Sequence, residues 1–309
     1  MEELFNDLES LHNKAKSLLV IILVASAVFT IIILIVLAAL GVTQGILFLT
    51  VLLSICFCLL LAKVTGFFQV NKDYRANFKA TLIEVPFRNA FTQVIYNGKE
   101  GIDQEVIRKT GIMTLGNRYH SNDYVQGYYR DVRFERSDVK IQQHVSTGKT
   151  SYTITYLHGR WLIFEFNKDF HFDMQIISKE FSASQKKNSI FTGSEERRHR
   201  IELEDIDFNE NFQVFCQDEH EAYYILTPRF MQILKDLNTS MDGSFMLGFV
   251  DNQLHVAIHN SKDAMEPKLF DDLDLGAIKA EVQKEINVII DIIEGLALDR
   301  NIFKQEGEK

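Results

Sequence analysis

Two long apolar runs without a charged side chain stand near the start of the chain. The first extends from Leu18 to Leu40 and the second from Ile46 to Ala62, and only a short connector separates them. A helix needs roughly 20 residues to cross the hydrocarbon layer of a membrane, and these runs have about 23 and about 17. We therefore expect a transmembrane hairpin over residues 18–66, with spans at 18–40 and 46–64.

The segments on either side of this hairpin also have helical patterns. Residues 1–17 have apolar side chains at helical spacing with acidic ones opposite, which predicts an amphipathic lead-in helix. This helix is either solvated or lies along the bilayer surface, although its acidic face opposes anionic lipid. After the second run, Val64, Phe67 and Phe68 would lengthen the span if Lys63 extends its ammonium group to the membrane surface.

Positive charges flank the hairpin, whereas its connector has none. The flanking charges are Lys14, Lys16, Lys63, Lys72, Arg75 and Lys79. By the positive-inside rule we expect both termini in the cytoplasm and the protein in the inner (cytoplasmic) membrane. A cleaved signal peptide is the alternative, because Ala25-Ser26-Ala27 resembles a cleavage site, but the apolar sequence continues unbroken to Leu40.

The remainder of the chain has the composition of a folded, mixed domain. Cys216 is its one cysteine, so no disulfide framework is expected and the compartment is read as reducing. The formal net charge is −9 and the pI is near 5.5. Nucleic-acid binding depends on neutralising phosphates, so nucleic acid is not an expected partner.

Helical patterning comes first in this domain. The apolar spacing is helical from Asn71 to Arg108, with Phe78, Leu82, Val85 and Ile95 recurring, and turn formers at residues 97–101 break it. A short helix is expected over Asp103–Lys109, with Asp103 as its cap.

Strands follow these helices. Residues 124–172 are rich in Tyr, Val, Ile, Phe and Thr with near-alternation, which predicts antiparallel strands and a hairpin turn at Ser146–Lys149. We assign residues 71–180 to a subdomain of helix plus antiparallel sheet. Residues 181–209 change charge from basic to acidic and form a charged connector, where Arg197, Arg198 and Arg200 are candidate contacts for an anionic surface.

The last hundred residues carry strong capping signals. A short strand is expected over Phe212–Phe215. Asp218 and Glu221 predict a reciprocal cap at the start of a helix, and Thr227-Pro228 predicts the start of the next one.

The end of the chain predicts a hairpin and a helix that packs on it. Ser244–Val250 and Gln253–His259 are expected to pair across Asp251-Asn252. Residues 278–296 form a strongly amphipathic helix, with a coiled coil or partner docking as the alternative to packing on the sheet. Residues 210–309 are thus a strand–helix–hairpin–helix subdomain, and the expected fold class is α+β.

The segment Phe212–Met231 reads F-x-V-F-x-x-D-x-x-E-A-x-Y-I-L-T-P-x-F-M. It resembles the signature of a bacterial family of membrane-anchored proteins known only as a domain of unknown function. The resemblance extends weakly to Gly159-Arg160-Trp161, to Phe166-Asn167-Lys168 and to the membrane hairpin. It implies two membrane helices and a cytoplasmic domain, in some members encoded near LemA-type proteins, and it assigns no catalytic residues. Tyr223 stands where the family commonly has arginine.

Catalytic motifs are weak in this sequence. Gly111 and Gly116 have the glycine spacing of a phosphate-binding loop, but the lysine and hydroxyl that should follow are missing. His255 and His259 have metalloprotease spacing, but four residues along a strand separate them by roughly 13 Å, too far for one metal ion.

The remaining catalytic candidates are Asp218, His220 and Glu221. Helix capping already explains both carboxylates, and Cys216 has only His220 nearby as a base. We expect no cofactor and no metal site.

Two classes of function remain open. The favoured one is a membrane-anchored cytoplasmic binding or scaffold protein of an inner-membrane assembly, whose partners are the lipid bilayer and a protein or a second copy of the chain. The alternative is a membrane-tethered enzyme of the metal-dependent hydrolase type, with a site assembled from distant residues such as Asp218, His220, His255 and His259. A pore is a weaker third class, because neither span carries an intramembrane charge.

Overall fold

The computed structural model describes residues 2–40, 46–148, 150–165, 174–181, 199–240, 243–261 and 265–298, without the side chains of residues 2, 3, 46, 47, 221 and 224. These residues form two compact units. The first unit contains the described residues up to Val85 together with Glu266–Lys279, and the second contains Pro86–Met265 and the residues from Ala280 onward.

The first unit is built from helices. They are α1 (Glu2–Ala39), α2 (Ile46–Val64) and α3 (Phe67–Phe78), followed by a π-helical turn at Lys79–Glu84. The predicted lead-in helix and the first apolar run are therefore one continuous helix of 38 residues.

The second unit combines strands with shorter helices. In chain order the elements are α4 (Val85–Ala90), β1 (Thr92–Asn97), α5 (Gln104–Thr110), β2 (Arg118–Tyr129), β3 (Val132–Ser146), β4 (Ser151–Glu165), β5 (Met174–Ser178), β6 (His199–Ile201), α6 (Ile206–Asn211), β7 (Phe212–Cys216), α7 (Glu219–Ile225), α8 (Pro228–Ser240), β8 (Ser244–Val250), β9 (Gln253–His259) and α9 (Leu275–Gly295). α4 and α9 each cross the boundary between the units, with Val85 and Leu275–Lys279 assigned to the first.

The described strands form a single antiparallel sheet of nine, in the order β1-β2-β3-β4-β9-β8-β5-β7-β6. β9 joins its two halves, because it pairs with β4 on one side and with β8 on the other. At this junction Gly159 allows close approach, since a Cβ there would lie 2.1 Å from the backbone oxygen of Ile258. Strands predicted in two subdomains thus share one sheet.

Both faces of the sheet are covered, because side chains alternate along each strand. One face holds a core that includes Trp161, Ile163 and Ala257, with Ile107 of α5 packed against it. The opposite face presents buried side chains of β4, β8 and β9 to helices, as the ring contact of Phe230 in α8 with Phe249 shows. A mixed fold of antiparallel sheet and helices is therefore confirmed.

Several local predictions are also confirmed. Asp103 caps α5 by accepting a hydrogen bond from the backbone N–H of Glu105. The carboxylate of Asp218 caps α7, and the hydroxyl of Thr227 accepts from the backbone N–H of Phe230 at 3.2 Å at the start of α8. The hairpin of β8 and β9 has the predicted bounds, and Asp251 takes the left-handed conformation at its turn.

One element was predicted wrongly. The helical pattern that starts at Asn71 was expected to include Ile95, but residues 92–97 form the edge strand β1. Val94, Ile95 and Tyr96 have high strand propensity, and pairing with β2 decides the outcome over the helical spacing.

Candidate functional site

The surface of α1 is the first candidate functional feature. The segment Leu4–Ala39 is long and apolar enough to cross a membrane, and little of its apolar surface is buried. Large apolar side chains such as Ile35, which is 63% exposed, point away from the rest of the protein. A core helix of a water-soluble protein buries such side chains against its neighbours.

α2 packs alongside α1 through polar and aromatic contacts. The hydroxyls of Thr30 and Ser54 are 2.6 Å apart and share a hydrogen bond between the two helices. The rings of Phe29 and Phe57 stack with centroids 4.0 Å apart. Hydrogen bonds of this kind hold helices together in an apolar surrounding.

The second apolar run ends earlier than its expected extension. α2 meets the criteria for a span only when it is combined with the following helix, and the two are bent by 63°. The bend lies at Gly66, which has a φ of 71°. Phe67 and Phe68 therefore belong to α3 and do not lengthen α2 in a straight line.

Ion pairs bind the segment Glu266–Lys279 to the helices of the first unit. Glu266 accepts from Arg75 at 2.7 Å and from Lys79 at 2.6 Å. Asp272 pairs with Lys16 at 2.8 Å, although its own side chain is exposed. Glu266 is thus the ion-pair partner of two of the basic residues that follow α2.

The second unit contains a buried ionic network, which is its most unusual feature. Arg136 donates to Asp138 on β3 at 2.7 Å and to Glu285 on α9 at 3.0 Å. Arg160 on β4 also pairs with Glu285. All four side chains are less than a tenth exposed.

Electrostatics keep the guanidinium of Arg136 charged. Burial by itself would lower the pKa of Arg136, but the carboxylates of Asp138 and Glu285 outweigh burial and raise it. These ion pairs join α9 to strands β3 and β4 of the sheet. The sequence pattern did not predict this network. The one sequence feature that could have indicated it is the charged residue Glu285 within the apolar stripe Val282–Ile293 of α9.

His255 lies on the sheet face opposite this network. Its Nδ1 accepts a hydrogen bond from Nε1 of Trp161 at 3.2 Å, and burial lowers its pKa to about 4. His259 follows on the same strand, and its Nδ1 accepts from the backbone N–H of His158 at 3.1 Å. Both imidazoles therefore act as hydrogen-bond acceptors within the sheet, with His255 buried and His259 half-buried.

The structure does not bring together the four residues of the enzyme hypothesis. Strands β7, β5, β8 and β9 are neighbours in this order, with Cys216 paired to Met174, Met174 to Phe249, and Phe249 to Leu254. Three spacings between neighbouring strands place the end of β7 about 14 Å from β9. Asp218 and His220 lie just beyond that end and are exposed, whereas His255 is buried in β9.

The structure shows few contacts for the other predicted site residues. The side chain of Glu221 lies outside the described residues, as do Arg197 and Arg198. Arg200 is on β6 with an exposed side chain 3.7 Å from Glu202. Cys216 is buried, and its Sγ donates to the backbone oxygen of Asp218 at 3.1 Å. In the described part of the chain, no three or more His, Cys, Asp or Glu side chains form a group that could hold a metal ion.

Comparison with known proteins finds a family model that matches part of the chain, and no activity. A family model described as "Protein of unknown function (DUF3137)" matches residues 155–298. This match confirms the likeness to a domain of unknown function and begins well after the N-terminal helices. No curated protein matches the chain.

One solved structure is similar in part. It is that of the mycobacterial trehalose monomycolate transport factor A, TtfA, at 8% sequence identity, with 70% of this chain and 94% of that chain covered and a TM-score of 0.37.

Proposed function

We propose that the protein is a membrane-anchored binding or scaffold protein. The observation that carries this proposal is the unburied apolar surface of α1, because water would have to cover it if the helix were not in a membrane. Transfer of apolar surface out of water stabilises by about 25 cal/mol per Å². A bilayer is the environment that removes the whole length of such a helix from water.

The contacts between α1 and α2 support a hairpin with two spans. α2 has 19 residues and a length of about 28 Å, close to the thickness of about 30 Å of the hydrocarbon layer. The Thr30–Ser54 hydrogen bond lies near the middle of both apolar runs. A hydroxyl at that depth gains from a partner on the neighbouring helix.

The distribution of charge supports a cytoplasmic position for both termini. Exposed lysines flank the outer ends of the two apolar runs, with Lys14 before the first run and Lys63 and Lys72 after the second. Residues 41–45 carry no charge. This asymmetry is typical of a hairpin that enters from the cytoplasm and returns to it.

The large sheet is suited to presenting a surface rather than to catalysis. The ionic network fixes α9 on the sheet, and the histidines that suggested an enzyme are far from Asp218. We propose that this unit binds a protein component of an inner-membrane assembly, or a second copy of the chain, and thereby holds it at the membrane.

Affinity purification after mild detergent extraction tests this function. We expect a partner, or a second copy, at fixed stoichiometry by native mass spectrometry. A matched control replaces residues 18–64 by an unrelated two-span hairpin and should retain the partner, because the proposed binding surface is on the sheet unit. Repeated recovery of a monomer without any stoichiometric partner would contradict the scaffold function.

A further inference from the structure

The turn between α2 and α3 gives α3 a specific direction. The peptide N–H of Gly66 donates to the backbone oxygen of Lys63, and α3 then starts with Gln69 and Val70 donating to the oxygen of Gly66. The helix that begins at Phe67 is bent by 63° from α2. If α2 runs along the membrane normal, each residue of α3 moves only about 0.7 Å away from the membrane.

This shallow descent keeps the first turns of α3 at the depth of the lipid headgroups. The headgroup layer is about 5–8 Å thick on each side of the bilayer. From the helix rise, Phe68 lies about 1 Å and Lys72 about 4 Å below the end of α2. Ala76, two helical turns beyond Phe68, lies about 6–7 Å below the end of α2, at the outer edge of the headgroup layer.

The exposed face of α3 has the composition of a membrane interface. Phe68 is 55% exposed, and Val64 at the end of α2 is 74% exposed. Lys63 and Lys72 are also exposed, and among the described residues neither has an ion-pair partner. The opposite face of α3 is buried through Tyr74 and Phe78.

The next two basic residues, at the end of α3 and just after it, already share a carboxylate within the first unit. Arg75 and Lys79 pair with Glu266. Asp73, the carboxylate nearest to Lys72 in sequence, is only partly exposed and accepts a hydrogen bond from Gln69 at 2.8 Å. The end of α2 and the exposed face of α3 therefore together present the ring of Phe68 and the cations of Lys63 and Lys72.

We propose that Phe68, Lys72 and the adjoining end of α2 bind the anionic phospholipid surface of the leaflet from which α2 emerges. Phe68 inserts its ring among the upper acyl chains, while Lys63 and Lys72 bind lipid phosphates. This proposal rests on the membrane hairpin proposed above. It assigns α3 as an interfacial helix and Gly66 as the point where the chain turns from spanning the membrane to lying along it.

Depth-dependent fluorescence quenching tests the position of α3. The full chain is reconstituted in vesicles of phosphatidylcholine and phosphatidylglycerol that contain lipids brominated on their acyl chains. Phe68→Trp is compared with the matched variant Ala76→Trp on the same face of α3, and the signal of the wild type, which arises from Trp161, is subtracted. Strong quenching for Phe68→Trp and weak quenching for Ala76→Trp are expected, and equal quenching of the two would overturn the proposal.

The charge requirement is tested by lipid retention. Native mass spectrometry measures the ratio of bound phosphatidylglycerol to phosphatidylcholine for the wild type and for Lys63→Gln/Lys72→Gln. Each basic residue near an anionic surface contributes about fivefold in binding, so the loss of two should lower the ratio by up to about 25-fold. Lys99→Gln/Lys109→Gln removes the same charge elsewhere and should leave the ratio unchanged. An equal fall in both double variants would contradict a specific site.

Carbonate extraction of the same vesicles separates the two proposals. Retention in the membrane with equal quenching of the two tryptophan variants would overturn only the interfacial role of α3. Release of the wild type into the supernatant would overturn the membrane hairpin itself.

Discussion

Removal of Glu285 is predicted to destabilise the sheet unit strongly. Its carboxylate is 8% exposed and is the common partner of Arg136, which is 1% exposed, and of Arg160. In Glu285→Ala, Arg136 retains Asp138, but Arg160 loses its one ion pair among the described residues. An uncompensated buried charge costs about 3–5 kcal/mol, so we expect a loss of this size in the free energy of unfolding.

The same helix provides a matched control. Glu294 on α9 pairs with Arg130 at 2.7 Å, but its side chain is 41% exposed. Glu294→Ala makes the same chemical change in the same helix and should cost only about 0.5 kcal/mol, because water screens this pair.

Urea unfolding of the full chain in detergent measures both variants. The fluorescence of Trp161 reports on the sheet, because it is the single tryptophan of the chain and is fully buried. If Glu285→Ala loses no more stability than Glu294→Ala, the network does not lock α9 onto the sheet and the reasoning fails.

Three further predictions follow from other parts of the structure. The pKa of the buried His255 is about 4 in the folded chain and 6.5 when the side chain is exposed in the unfolded chain. The free energy of unfolding should therefore be highest above pH 6.5 and fall by up to about 3 kcal/mol as the pH decreases to 4, because only the unfolded chain binds the proton in this range. His255→Gln should flatten this part of a profile of unfolding free energy against pH. Gly66→Ala should lower the free energy of unfolding by about 1 kcal/mol, measured by thermal or chemical unfolding, because the φ of residue 66 is positive. No atom lies within 4 Å of the added Cβ, so no steric clash contributes, and Gly66→Asn should lower the stability less. A double-mutant cycle of Thr30→Val and Ser54→Ala should give a coupling of about 0.6 kcal/mol in unfolding by SDS, and zero coupling would argue against the hydrogen bond between the helices.

Local structure was predictable where short-range chemistry decides it. The caps at Asp103 and Asp218 and the β8–β9 hairpin depend on residues within a few positions of each other, and all appear at the expected places. The strand at Thr92–Asn97 was missed because its helical spacing competes with pairing to β2, which lies more than twenty residues away. Long-range pairing also explains why the single sheet was not foreseen, since β4 and β9 are about ninety residues apart.

The candidate sites were less predictable than the fold. The apolar run of α1 is visible in the sequence because length and composition within one segment define a candidate span. The ionic network is not, because Arg136, Arg160 and Glu285 come from three distant segments and look like ordinary charged residues. Capping explained Asp218 correctly, so the carboxylate that suggested catalysis has a structural role.

Protease protection tests the central claim of a membrane hairpin with both ends in the cytoplasm most directly. We predict that protease added to spheroplasts leaves the chain intact, and that protease added to inverted membrane vesicles removes the sheet unit and leaves a protected fragment containing residues 18–64. Digestion of the sheet unit in spheroplasts, or loss of the protected fragment in inverted vesicles, would contradict the account.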